Sequence, residues 1–214
     1  MLKNVLPKIG LIFIASVWAI CSLENSAQAG KYNSGINIGD AAPAWQDLLG
    51  TDDKKHSLKD LDRRAVVVVV FTCNSCPYAV DYESRFNDLA KKYSAKDSPV
   101  AVVAINVNKI DADSPTALKQ RAKDRGFVFP YLFDPTQQIA KQFGALRTPE
   151  FFVLNKSRQI VYMGAMDDNT NPSAVKTRFV EDAIQATLDG KPLSTTETPP
   201  VGCLIRFVRE RRKQ

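Results

Sequence analysis

Histidine is nearly absent from this chain, because His56 is the only one in 214 residues. It lies in a polar stretch, KKHSLK, which is typical of a solvated surface loop. A cysteine hydrolase needs a histidine base beside its thiol, and a closed zinc site needs about four ligands. After the first thirty residues, only Cys203 and His56 could join the pair Cys73 and Cys76, and their spacing is unrelated to it, so both classes are disfavoured. We expect no metal and no other cofactor.

Long apolar runs are also missing after the first thirty residues. The N-terminal segment carries Lys3 and Lys8, an apolar run over residues 9–21, and small residues before Ala29. That run has about 13 residues, whereas a membrane-spanning helix needs about 20. The pattern predicts a secretory signal peptide over residues 1–29, cleaved after Ala29. We therefore expect a periplasmic or secreted protein without a stable membrane anchor.

Acidic residues do not balance the basic ones, and the formal net charge is +6. The last nine residues, RFVRERRKQ, hold five bases and one acid. A basic tail can bind nucleic acid or anionic lipid. Export argues against a nucleic-acid partner, so we expect this tail to be solvated.

Two continuous runs of β-branched and apolar residues predict buried strands. The run AVVVVVF covers residues 65–71, and PVAVVAINVN covers residues 99–108. Such composition is typical of strands that are covered on both faces of a sheet. The later stretch EFFVLNKSRQIVYMG predicts a β-hairpin with its turn at residues 155–158.

Helix signals fall between and after these strands. Helices are predicted from Pro77, from Ser114 to Gly126, over residues 135–143 and over residues 173–189. Residues 30–62 require little regular structure. The size and the alternation of elements predict one α/β domain over residues 30–193, followed by an extended tail over residues 194–214.

The pair Cys73 and Cys76, in FTCNSCPY, separates the first predicted strand from the first predicted helix. The N-terminus of a helix stabilises a thiolate, which is the reactive form of cysteine. Two intervening residues let the sulfurs form a disulfide. We expect Cys73 to be exposed and to attack a partner, and Cys76, packed against the core, to resolve the mixed disulfide. A permanent crosslink over so short a loop would add little stability.

The order of elements, the FTCNSCPY turn and the stretch RTPEFFV together resemble the thioredoxin fold. From about residue 38 to residue 207 the chain resembles the peroxiredoxin-like, redoxin-type branch of that superfamily, which is AhpC/TSA-like. The matching stretches are GFVFPYLFD from Gly126, TPEFFVLN from Thr148 and PVGC from Pro200. The resemblance implies a central mixed sheet flanked by helices, and thiol–disulfide oxidoreductase activity with a possible antioxidant role.

The resemblance also implies a binding site for the partner. In the superfamily the proline after the threonine is cis and lies beside the cysteine pair, so Thr148 and Pro149 are the matching residues. The backbone of Thr148 would present an edge to which an extended substrate segment can add. The implied partners are protein or small-molecule thiols and disulfides, with an external reductant or oxidant.

Three positions depart from the family pattern. Ser75 stands where the branch often has histidine, Thr72 stands where thioredoxins have tryptophan, and Val67 replaces a buried acid. The proton acceptor for Cys76 therefore stays open. Glu150 is a candidate, although a strand-edge glutamate that faces water is the simpler interpretation.

Peroxide reduction is the main alternative activity. Typical peroxiredoxins carry Pro-X-X-X-Thr-X-X-Cys, and with Cys76 as the peroxidatic thiol the proline and threonine places hold Val69 and Cys73. We therefore favour dithiol exchange over a thiol peroxidase. A redox-inert binding module with a vestigial disulfide is the third hypothesis.

Cys203 is the odd cysteine of the mature chain. It is a candidate second resolving thiol, because an extended tail can reach back over the sheet. The competing interpretation is a small buried residue that packs beside Val201 and Leu204.

Overall fold

The computed structural model describes residues 30–208. The predicted signal peptide and the last residues of the basic tail lie outside this described range. Between residues 30 and 208, no helix combines the length and the apolar character needed to cross a membrane.

Nine strands form two sheets within the described residues. The strands are β1 (Leu48–Gly50), β2 (Lys55–His56), β3 (Val66–Phe71), β4 (Val100–Asn106), β5 (Tyr131–Phe133), β6 (Arg147–Thr148), β7 (Glu150–Leu154), β8 (Ile160–Gly164) and β9 (Cys203–Leu204). Seven of them form the main sheet in the order β2-β1-β5-β4-β3-β7-β8, and β6 pairs with β9 separately. Strands β3, β4 and β5 are parallel to one another, whereas β7 and β8 are antiparallel.

The valine run forms the centre of the sheet. Every residue of β3 is buried, and its side chains alternate between two apolar clusters on opposite faces of the sheet. Val68 and Val70 belong to one cluster, and Val67 and Val69 belong to the other. A strand with apolar side chains on both faces needs layers on both sides, which explains why the run is continuous rather than alternating.

Four α-helices accompany the sheet: α1 (Pro77–Lys92), α2 (Pro115–Arg125), α3 (Gln138–Gln142) and α4 (Phe179–Leu188). The predicted start of α1 at a proline and the predicted ends of α2 are confirmed. The Ser114 side chain accepts a hydrogen bond from the Ala117 N–H, and Gly126 follows α2 with a φ of 59°. Glycine adopts this left-handed conformation without a steric penalty.

Two predicted helices are shorter than expected. Helix α4 begins at Phe179 rather than at residue 173, because Asp168 holds the backbone before it. The Asp168 carboxylate accepts from the Lys176 N–H, and the Asp168 N–H donates to the Thr177 carbonyl. Helix α3 begins only after Gln137, whose φ of 62° is incompatible with a helix.

The short strands β1, β2 and β5 were not predicted. Residues 30–62 contain β1 and β2, and β1 pairs with β5 through Leu49 and Phe133. Strands of two or three residues lack a run long enough to show a periodicity. The parallel β3–α1–β4 unit, followed by the β7–β8 hairpin and α4, nevertheless confirms the predicted thioredoxin-like α/β fold.

The substitution Phe152→Ala tests the packing of the apolar cluster that contains Val67 and Val69. The Phe152 side chain is 0% exposed and contacts the rings of Phe71 and Phe143 edge-on. We expect Phe152→Ala to lower the free energy of unfolding by about 3–5 kcal/mol, because it opens a cavity between these rings. Leu49→Ala, at a side chain that is 48% exposed, is the control and should cost much less. Equal losses in urea unfolding would contradict this packing.

Candidate active site

The cysteine pair lies where β3 ends and α1 begins. Cys73 follows β3 after one residue, and Cys76 is the N-cap of α1 directly before Pro77. Both side chains are only 2% exposed. The expectation that Cys73 is exposed is therefore wrong. The three cysteines of the described residues carry no disulfide in this structure.

Thr148 contacts both sulfurs of the pair. Its peptide bond to Pro149 is cis, as predicted from the resemblance. The Thr148 Oγ1 lies 3.3 Å from the Cys73 Sγ, and the Cys76 thiol donates to the Thr148 carbonyl oxygen at 3.1 Å. Thr148 thus lies against both cysteines, and Pro149 lines the same small cavity as Cys73.

The C-terminal tail reaches the same place from the other side. Strand β9 pairs antiparallel with β6, so that Cys203 lies opposite Thr148. The Cys203 N–H donates to the Cys76 Sγ at 3.4 Å, and the Arg147 guanidinium donates to the Gly202 carbonyl at 2.7 Å. The backbone edge that was expected to receive a substrate is thus occupied by the protein's own tail.

Electrostatics separate the two thiols of the pair. The pKa of Cys76 is lowered to about 4, chiefly because the Cys73 side chain hydrogen bonds to it. The Cys203 side chain and its backbone N–H lower the pKa further. The pKa of Cys73 is raised, chiefly because its thiol donates a hydrogen bond to Cys76. Burial of Cys73 raises the pKa further, and the Asp113 carboxylate repels a negative charge on the Cys73 sulfur. This order is opposite to the predicted roles, in which Cys73 attacks first.

Two protonation states of Cys76 fit these contacts. When Cys76 is a thiol, it donates its proton to the Thr148 carbonyl oxygen. When it is a thiolate, it accepts hydrogen bonds from the Cys73 thiol and from the Cys203 N–H. Hydrogen bonds to the charged form stabilise that form and lower the pKa.

Asp113 fixes the loop between the two cysteines, and sequence reasoning missed it. Its buried carboxylate accepts from the backbone N–H groups of Asn74 and Ser75 at 2.7 and 3.1 Å. It also accepts from the Ser75 hydroxyl at 2.6 Å and from the Asn108 amide at 3.1 Å. The available signal was an acid in the segment between β4 and α2, because the carboxyl ends of adjacent parallel strands meet at one edge of a sheet.

Glu150 lies directly after Pro149, and its side chain is 3% exposed. The interpretation as a glutamate facing water is therefore wrong. Its carboxylate accepts from the N–H groups of Leu146 and Arg147 at 2.9 and 3.1 Å. Burial nevertheless outweighs these bonds and raises the pKa of Glu150 to about 7.

Three other positions considered in the sequence make no hydrogen bond to the sulfurs among those described. Val67, which replaces the buried acid of thioredoxins, is part of the apolar core. His56 pairs with Asp52 at 2.9 Å on a neighbouring turn. Thr72 and Cys73 line a small, mostly apolar cavity with Phe151 and other aromatic side chains.

Substitutions of Cys73 test whether its thiol donates a hydrogen bond to the Cys76 thiolate. Cys73→Ser keeps a hydroxyl donor, whereas Cys73→Ala removes the donor and should raise the pKa of Cys76 by at least about one unit. The measurement is the pH dependence of iodoacetamide alkylation at Cys76, followed by mass spectrometry of its peptide. Identical pH profiles for the two variants would refute the proposed hydrogen bond.

Glu150 makes the stability of the fold depend on pH in a defined direction. Its pKa is about 7 in the folded protein against an ordinary value of 4.5, so between these values the native state binds the extra proton. The free energy of unfolding therefore decreases as pH rises through this window, by about 3 kcal/mol in total.

Glu150→Gln keeps an oxygen for both N–H groups but cannot ionise. We expect the variant to gain stability relative to the wild type as pH rises, measured by urea unfolding at several pH values. Asp88→Asn, at an exposed carboxylate, is the control and should follow the wild type. A constant difference between Glu150→Gln and wild type across the window would show that Glu150 does not titrate there.

Known proteins are similar to this chain in sequence and in fold. Residues 38–163 match the model of the AhpC/TSA family. The chain is similar to the thiol-disulfide oxidoreductase ResA of Bacillus thuringiensis subsp. konkukian, with 28% identity over 128 residues, or 59% of this chain and 68% of ResA. It is also similar to a predicted peroxiredoxin of Mycobacterium tuberculosis, with 28% identity over 110 residues, or 51% of this chain and 65% of that protein.

Solved structures extend the likeness over most of the chain. The crystal structure of an uncharacterized conserved protein from Geobacillus kaustophilus has 31% identity and a TM-score of 0.75, covering 82% of this chain and 94% of that one. Thioredoxin-like structures of lower identity share the fold. The family model spans more than half of the sequence. The chain therefore belongs to the AhpC/TSA family, and its function is of the thiol-disulfide oxidoreductase and peroxiredoxin-like kind.

Proposed function

We propose that this protein is an exported thiol–disulfide oxidoreductase that cycles Cys73 and Cys76 between dithiol and disulfide. The observation that carries the proposal is the thiol pair at the N-terminus of α1, with Thr148 against both sulfurs and the Cys203 N–H donating to the Cys76 Sγ. A thiolate next to a second thiol, at a distance that permits a disulfide, has what exchange requires.

The charge distribution favours Cys76 as the attacking sulfur, which reverses the roles predicted from the sequence. The Cys76 thiolate attacks one sulfur of a substrate disulfide, a mixed disulfide forms, and the other substrate sulfur leaves as a thiolate. Cys73 then loses its proton and attacks Cys76, which forms the Cys73–Cys76 disulfide and releases the second substrate thiolate. Two electrons pass from the protein to the substrate, the proton of Cys73 is the only proton that the protein releases, and an external thiol reductant restores the pair.

Burial supports the assignment of Cys73 as the resolving thiol. Cys73 lines the small cavity beneath the loop, together with aromatic side chains of the core. The Asp113 carboxylate disfavours a thiolate there. Once Cys76 is bonded to a substrate, its negative charge is gone, so the hydrogen bond that held the Cys73 proton is lost and Cys73 becomes easier to ionise.

Glu150 is the proposed proton acceptor. Its raised pKa of about 7 lets it take up and release a proton near neutral pH. It lines a surface cleft of about 430 Å³ with Tyr78, Leu146 and Gly202, close to the Thr148–Pro149 turn. In this proposal Glu150 takes up the proton that Cys73 loses.

The same cleft supports a protein or small-molecule disulfide as partner. Tyr78, Leu146 and Val201 border it and are each more than 40% exposed. Exposed apolar side chains around a reactive group are typical of surfaces that receive a partner. Because β9 occupies the backbone edge of Thr148, the proposed place of contact is the cleft beside that edge rather than the edge itself.

The cellular location is proposed from the N-terminal pattern. Residues 1–29 have the charged, apolar and small-residue regions of a secretory signal. We infer periplasmic or secreted action, where an external reductant or oxidant supplies or removes electrons. Nucleic acid is not among the proposed partners.

A thiol peroxidase is the second candidate, and the low pKa of Cys76 favours it. The sequence around Cys76 disfavours it, because Val69 and Cys73 occupy the places of the proline and threonine that surround peroxide in typical peroxiredoxins. Val69 is fully buried within β3 and cannot line a peroxide pocket.

Insulin reduction and peroxide consumption separate these functions. With dithiothreitol as the electron source, the wild type should catalyse insulin reduction, and Cys73→Ser and Cys76→Ser should each lower the rate by about 100-fold or more. Leu49→Ala is the control with an intact site. Rapid hydrogen peroxide consumption that depends on Cys76, without insulin reduction, would establish the peroxidase instead. Neither activity in the wild type would favour the redox-inert module.

A further inference from the structure

The cysteine pair is less accessible than its proposed partners require. Cys73 and Cys76 are each 2% exposed, and β9 lies over the edge at which a substrate would add. Cys203 is only partly buried and packs against the pair. A protein thiol can therefore reach Cys203 more easily than either sulfur of the pair.

We propose that Cys203 is a third exchanging thiol, which accepts the disulfide from Cys73–Cys76 by bonding to Cys76 and presents it to the partner at the surface. The tail strand β9 then acts as a substrate built into the chain, seated on the backbone of Thr148. This inference rests on the proposed dithiol exchange and adds the route by which electrons enter and leave the buried pair.

The tail is held in this position by contacts on both sides of Cys203. Before it, the Thr198 N–H donates to the Met163 carbonyl at 3.1 Å. After it, the Ile205 N–H donates to the Leu146 carbonyl at 2.8 Å, and the Arg206 N–H donates to the Asn108 side chain at 3.0 Å. A tethered thiol has a high effective concentration at its target.

Gly202 supplies the clearance that brings Cys203 to the pair. A Cβ atom at this position would lie 2.0 Å from the Thr148 carbonyl oxygen and 3.1 Å from the Pro149 nitrogen. Any side chain there would push the tail away from the turn. The glycine before the cysteine therefore allows the Cys203 N–H to approach the Cys76 Sγ to 3.4 Å, which is compatible with the short Cα separations of about 4.4–6.8 Å that disulfides require.

The exchange step is balanced without a further reactant. The Cys203 thiolate attacks the Cys76 sulfur of the Cys73–Cys76 disulfide, the Cys76–Cys203 bond forms, and the Cys73–Cys76 bond breaks. Cys73 leaves as a thiolate and takes up the proton that Cys203 released. No net oxidation occurs, because the disulfide only moves from one cysteine pair to the other.

The charge on Cys76 makes this step depend on the redox state. In the dithiol form the pKa of Cys203 is raised to about 11, chiefly because its thiol hydrogen bonds to Cys76. Oxidation of Cys76 to a disulfide removes that thiolate. Arg206 and Arg147 then stabilise a negative charge on Cys203. Cys203 is thus protonated while the pair is reduced and becomes easier to ionise when the pair is oxidised.

Disulfide mapping in Cys73→Ser tests the predicted bond directly. Diamide removes two electrons and two protons from the remaining thiols, and peptides are then mapped by mass spectrometry without reduction. We expect one intramolecular Cys76–Cys203 disulfide in monomeric protein. Dimers joined through Cys76, with Cys203 still open to alkylation, would overturn the proposal.

Two further substitutions in the Cys73→Ser background test the position of the tail. Gly202→Val should suppress the Cys76–Cys203 bond although both cysteines are present, because the new side chain collides with the Thr148 carbonyl. Val208→Ala, at a tail side chain that is 54% exposed, should leave bond formation intact. Equal bond formation in both variants would contradict the role of the β9 position.

A rate comparison distinguishes this inference from the proposed function. In protein with an otherwise native sequence, Cys203→Ser should slow reduction of the oxidised pair by reduced thioredoxin by about tenfold or more, and should slow reduction by dithiothreitol much less. If Cys203→Ser still reduces insulin with dithiothreitol, and thioredoxin reduces its oxidised pair as fast as in the wild type, the exchange through Cys203 is refuted and the proposed function is not. If the wild type neither reduces insulin nor has its oxidised pair reduced by thioredoxin, the dithiol function itself is refuted.

Discussion

The active site is assembled against one residue, Thr148, at the cis turn before β7. Its hydroxyl contacts Cys73, its carbonyl contacts Cys76, and its backbone pairs with Cys203. Strand β7 holds this turn in place, because it pairs with β3, which leads directly into the cysteine loop. Two segments far apart in the chain thus meet at the N-terminus of α1, and a third closes over them.

This arrangement places Cys76 between two possible disulfide partners. Cys73 lies on one side within the same loop, and Cys203 lies on the other side on β9. Hydrogen-bond donors surround Cys76, whereas the Asp113 carboxylate disfavours charge on Cys73. The Cys73 thiol, the helix terminus and the tail favour a negative charge on Cys76, whereas the Thr148 carbonyl oxygen accepts a hydrogen bond from its protonated form.

Much of the fold was predictable because long apolar runs and helix caps are local signals. The strand β3, the start of α1, both ends of α2 and the β7–β8 hairpin follow from residues near each element. The order of the two thiol pKa values was not predictable, because it depends on Asp113 and Cys203, which reach the pair only through tertiary contacts. Burial of Glu150 is likewise a property of the folded chain, and tail residues 199–202 line the cleft beside it.

The claim that Cys76 is the shared sulfur is tested most directly by a redox titration of the wild-type protein. The protein is equilibrated in glutathione buffers of graded potential, its free thiols are trapped by alkylation, and its disulfide-linked peptides are identified by mass spectrometry. The account predicts Cys73–Cys76 and Cys76–Cys203 bonds, with Cys76 a member of every intramolecular disulfide. A dominant Cys73–Cys203 bond, or an oxidised protein in which Cys76 is still a free thiol, would contradict it.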